Sequence, residues 1–166
     1  MKQMLVFNSL LSLILLLCSC GGSSEPSEFV PRPIPSEYQG MSMVELTSTS
    51  KAPSYNELKD NIDNYEGELV SFEGEVFQNF EGSVANTYQI YVFVTPTEGP
   101  ERYEWTDQIL LYHSLERGPE LSEGKEVRVS GIVIGIHEQK LTKDWFAERV
   151  APIISVIKAE LITDSD

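Results

Sequence analysis

Residues 67–76 read Gly-Glu-Leu-Val-Ser-Phe-Glu-Gly-Glu-Val, and their pattern G-x-x-V-x-[FV]-x-G-x-V returns at residues 124–133. Val70, Phe72, Gly74 and Val76 fall two apart, as do Val127, Val129, Gly131 and Val133, so each set lines one face of an extended strand. Ser71, Glu73 and Glu75 take the opposite face of the first copy, and Glu126, Arg128 and Ser130 that of the second. In both, a glycine stands on the inward face. Removing a side chain there lets a strand bend sharply or carry a bulge, which is how a small sheet curls until its edges meet. Two such strands in one short chain predict a small closed β-barrel.

The chain has 166 residues, 41% of them hydrophobic, enough for one domain with its own core. Its 12 basic and 26 acidic side chains give a formal charge of −14. A field of that sign repels polyanions, so nucleic acid and anionic membrane surfaces are poor partners. Both cysteines, Cys18 and Cys20, precede any candidate domain, so no disulfide framework braces the fold.

An apolar run over residues 4–17 is shorter than the roughly 20 residues needed to cross a bilayer. Its length, and the small residues after it, fit a secretory leader. Leu17-Cys18-Ser19-Cys20 resembles the lipobox of bacterial lipoproteins. That resemblance implies a signal peptide over residues 1–19 and a lipid on Cys20, with the mature chain on the extracytoplasmic face of the cell membrane. Cys18 fits less well, because it follows a leucine where the motif takes a small residue.

Residues 20–53 are rich in Gly, Ser, Pro and Glu, with Pro31, Pro33 and Pro35 alternating. They show neither helical nor strand periodicity and read as a flexible tether with a reach of roughly 30 Å. The other reading makes residues 41–46 an edge strand, or a segment packed on the barrel. The folded domain is expected over residues 54–166.

Ser54-x-x-Glu57 has the capping-box form, and Tyr55, Leu58, Ile62 and Tyr65 make one apolar stripe up to Gly67, predicting an amphipathic helix over residues 55–65. Its stripe needs an apolar surface, such as one open end of the barrel. Strands follow over residues 68–77, 88–95, 105–113 and 124–136. After a polar excursion over residues 137–150, Pro152 introduces a fifth strand over residues 153–162, at whose start a missing amide is harmless.

A helix and five short strands, with bent copies in first and fourth place, resemble the OB-fold, a five-stranded Greek-key barrel. The spacing Tyr55-x-x-Leu58-x-x-Asn61-x-x-x-Tyr65-x-Gly67-x-x-Val70-x-Phe72-x-Gly74-x-Val76, then Leu121-x-x-Gly124-x-x-Val127-x-Val129-x-Gly131, then Pro152-Ile153-Ile154, is similar to that of uncharacterised secreted or lipid-anchored bacterial proteins grouped with tRNA-anticodon-binding-like OB domains. The expected fold class is therefore mainly β, an OB-fold-like Greek-key barrel with one N-terminal helix. The group's name suggests nucleic acid, which the charge opposes. The chain departs from the usual OB arrangement in lacking room for a helix between its third and fourth strands.

No catalytic motif stands out. His113 and His137, one near a strand end and one after a strand, read as solvent-facing or turn histidines, and no cluster spells a metal or cofactor site. Tyr103 and Trp105 before the third strand, and Trp145 and Phe146 in the excursion, are candidate ligand or partner contacts, because OB-folds often use such loops. The expectation is a non-catalytic, lipid-anchored binding module for an extracytoplasmic protein, peptide or glycan, attached to the membrane through Cys20. An extracytoplasmic enzyme using surface carboxylates is the alternative.

Overall fold

The two copies of the repeat become neighbouring strands and pair with each other. The computed structural model describes residues 31–98, 103–104, 106–139 and 149–162. In it β1 (Leu69–Glu81) and β4 (Glu126–Gln139) run antiparallel, so that Val70 faces Gly131, Phe72 faces Val129 and Gly74 faces Val127. Each glycine lets a further strand approach. A methyl group on Gly74 would overlap the Phe93 carbonyl of β2 (Thr87–Phe93), and one on Gly131 would overlap the Ser155 carbonyl of β5 (Arg149–Leu161). The repeat thus does the same work on both flanks of one seam.

With β3 (Gln108–Ser114), the strands close into a barrel in the order β1-β2-β3-β5-β4. All neighbours are antiparallel except β3 and β5, which run parallel where Leu110 and Tyr112 meet Ile153 and Ser155. A three-strand meander, followed by a fourth strand returning to the first and a fifth filling the gap, is the OB-fold-like arrangement expected. Val70, Val76, Ile90, Val92, Ile109, Leu111, Val127, Val129, Val133, Ile154 and Val156 fill the interior.

Several boundaries move. The helix predicted over residues 55–65 is two pieces, α2 (Tyr55–Asp60) and α3 (Ile62–Tyr65), broken at Asn61 (φ −128°), whose amide turns back to the Glu57 carbonyl. Only half of the predicted capping box forms. Ser54 Oγ accepts from the Glu57 amide, while the Glu57 carboxylate takes the Tyr65 hydroxyl at 2.6 Å. Tyr55, Leu58, Ile62 and Tyr65 do plug one end of the barrel, and the Tyr55 hydroxyl donates to the Val150 carbonyl at 2.7 Å. Between β3 and β4 there is only a 3-10 turn, Leu115–Arg117.

Pro152 lies inside β5 instead of at its start. It pairs with Ile136 of β4, and β3 joins β5 only from Ile153, so the proline sits where the strand has one neighbour. Both flanks of the predicted excursion are strand, since His137, Glu138 and Gln139 pair with Ala151, Val150 and Arg149.

The largest difference concerns the tether. From residue 31 the chain is laid on the barrel. Met43–Thr49 forms a helix, α1, with the reciprocal Ser42–Glu45 capping box. Its Leu46 is buried with Leu69, Ile132 and Ile157 against the outer barrel wall, and Ile34, Tyr38 and Met41 pack around them. Beneath α1 a chain of hydroxyls runs from Ser50 to Ser71 to Ser130, and Ser130 reaches the Met43 sulfur.

Candidate functional site: an aromatic outer face on β1 and β2

Beyond Glu75, β1 leaves β4 and continues with β2 alone as a hairpin. The register shifts between Val76 and Gln78, so Phe77 is the extra residue of a bulge. Such a residue has no cross-strand partner, and its side chain is re-aimed. Phe77 packs against Phe93 with ring centroids 4.7 Å apart and planes tilted by 34°. Farther along, Phe80 meets Tyr91 edge to face at 6.3 Å. Phe77 remains 42% exposed and Phe80 45%.

Below these rings the face is buried. Tyr91 and Ile153 pack on Leu110, Tyr112 and Ala151. Burial pushes the Tyr91 phenol up, and burial with the neighbouring Tyr91 pushes Tyr112 up to about 12, so both phenols stay neutral. Gln78 lies opposite Tyr91, and Gln89 opposite Phe80. Neither strand carries a lysine or arginine. The surface combines apolar ring faces with neutral amides and has acids at its ends, Glu75 and Glu81. It can stack on a flat apolar group and hydrogen-bond a neutral polar one.

Of the aromatics nominated from the sequence, Tyr103 lies at the rim of this face. It bridges to Pro96, and its hydroxyl donates to Glu126 Oε1 at 3.2 Å; Glu126 lies beside Glu75, which in turn lies beside Phe93. Trp105, Trp145 and Phe146 lie outside the described residues, as does Cys20. Sequence reasoning passed over Phe77, Phe80, Tyr91 and Phe93. Tyr91 and Phe93 alternate with the inward Ile90 and Val92, so aromatics on the supposedly wet face were the available signal.

His113 is not solvent-facing. It is fully buried at the end of β3, its Nε2 within 2.9 Å of the Pro119 carbonyl, and its Nδ1 has no partner. Burial, the largest cause, pushes its pKa below 6.5. Asn79 makes a parallel contact, donating from Nδ2 to the Leu121 carbonyl at 3.0 Å and leaving Oδ1 unpaired. Together they hold the segment that closes this barrel end. Nearby, the Arg117 guanidinium donates to the carbonyls of Val156 and Arg32, clasping the N-terminal segment to β5. Among the described residues no three His, Cys, Asp or Glu side chains converge as metal ligands do.

No protein-family model matches the chain, and no curated protein matches it. Among solved structures, an aspartyl tRNA synthetase from Entamoeba histolytica is similar at a TM-score of 0.37 and 13% identity, over 82% of this chain and 26% of that one. The chain thus spans about a quarter of the length of that protein.

Proposed function

We propose that this protein is a non-catalytic binding module, held at the extracytoplasmic face of the cell membrane by a lipid on Cys20 and presenting the aromatic face of β1 and β2 to a protein, peptide or glycan. The observation that carries this reading is the pair of exposed rings, Phe77 and Phe80, held against the partly buried Phe93 and Tyr91 on the outer wall of a filled barrel. Rings held by one another lose little freedom when a partner arrives, which favours them as anchors. Without cations the face suits a neutral partner better than a phosphate backbone.

The test pairs the mature domain with a Phe77→Ala, Phe80→Ala variant in calorimetric screens of envelope glycans and peptides. Ligands of the parent should bind at least tenfold more weakly to the variant, with little change in its thermal midpoint. Undiminished binding by the variant places the site elsewhere. The anchor has its own test, since Cys20→Ala should abolish labelling of the protein by a fatty-acid probe.

A further inference from the structure

We infer that the hollow between the N-terminal segment and β5 is a binding site for a small organic monoacid, with Arg117 and Lys158 receiving its carboxylate and the apolar walls its body. The hollow measures about 270 Å³. Ile34, Tyr38 and Met41 line it from the N-terminal segment, Ile157 and Lys158 from β5, and Arg117 from the connection between β3 and β4. None of these residues belongs to the aromatic face of β1 and β2, so the site is separate from the one proposed above.

The fold sets both cations in place with neutral partners. Gly118 lets the connection lie flat on β5, since a methyl group there would overlap the Ala159 carbonyl. Its neighbour Arg117 then donates to the carbonyls of Val156 and Arg32. Lys158 Nζ donates to the Met41 carbonyl at 3.2 Å. Carbonyls use only part of the donor capacity of either group and cancel none of its charge.

That charge is out of keeping with a chain whose formal net charge is −14. Lys51, Lys59 and Arg128 each stand at ion-pair distance from an acid, whereas among the described residues Arg117 and Lys158 do not. Glu45 draws Lys158 from farther off, its carboxylate being taken by the Ser42 amide and hydroxyl. Glu116, which also lines the hollow, draws Arg117 through space. Burial outweighs it and pulls the guanidinium below its ordinary pKa, the mark of a cation that has lost water without gaining a full counter-charge. A carboxylate fits this place, because charge-assisted bonds to a guanidinium or ammonium are the strong ones. The surrounding acids repel more highly charged anions, which leaves a monoanion. The apolar walls select one with a compact aromatic or branched body.

The experiment titrates 4-fluorophenylacetate into the full chain and follows it by fluorine NMR. Binding should saturate in the millimolar range or below, and the uncharged amide of the same acid should bind at least about fivefold more weakly. Lys158→Gln should weaken the acid by at least about fivefold, whereas Lys125→Gln, an equal loss of charge at an exposed residue outside the hollow, should leave it unchanged. Tyr38→Ala, which removes a wall and no charge, should weaken acid and amide alike. Absence of saturable binding by the parent, equal affinity for the amide, or equal losses in the two lysine variants overturns the proposal. Inorganic phosphate that displaces the probe at lower concentration than unlabelled phenylacetate would refute a site for a monoacid.

Discussion

A buried imidazole with one partner makes the barrel sensitive to acid. Burial holds His113 below its ordinary 6.5, opposed by the bond to Pro119 and reinforced by the charge of Arg117. The unfolded chain therefore binds more protons at this site than the folded one. Its contribution to stability is complete above pH 6.5 and is lost as pH falls from 6.5 toward the depressed folded value. Urea midpoints measured from pH 7.5 to 4.5 should fall more steeply for the parent than for His113→Gln, which cannot titrate; parallel curves would refute the assignment. Gly74→Ala should cost about 1–3 kcal/mol, since the added methyl meets the fixed backbone of Phe93. Both positions were legible in part. Gly74 announces itself in the repeat, and the phase that sets Ile109 and Leu111 inward carries on to His113. What the sequence could not supply is the segment around Pro119 that covers the ring.

At the scale of elements, α1 shows how a short helix escapes detection. Residues 41–46 show no sustained period, and Met43–Thr49 spans barely two turns, too few for the helical period to assert itself. The capping box Ser42-x-x-Glu45 was there to be read. Ser42→Ala should cost about 1 kcal/mol, measured by chemical unfolding. Deleting residues 31–52 bares Leu69, Ile132 and Ile157 and removes Leu46 and Met43, so a loss of at least about 3 kcal/mol is expected; no change in the unfolding midpoint would show that α1 is dispensable. The aromatic face was missed for a different reason. Alternation distinguishes inside from outside, but it does not reveal that two outer faces become neighbours, nor that a bulge turns Phe77 toward Phe93.

For the whole molecule, the inward faces of the two repeats were readable from spacing alone, whereas the strand order β1-β2-β3-β5-β4 came only from resemblance, because pairing between distant strands leaves no local mark. Net charge also acts at this scale. With 26 acids against 12 bases, the chain should show no salt-sensitive binding to a mixed oligonucleotide pool at physiological salt, as followed by anisotropy; micromolar binding would overturn this. The seam between the two repeats bears, finally, on how fast the barrel can form. Leu69–Glu75 finds its partner in residues 126–132, so registering this pair closes a loop of roughly 50 to 60 residues before any contact rewards it. Hairpin-local strands such as β2 and β3 can zip early, but β1 keeps one edge bare until β4 arrives. A chain with so much of its pairing placed at long range folds slowly for its size, and it exposes that edge until the second repeat comes within reach.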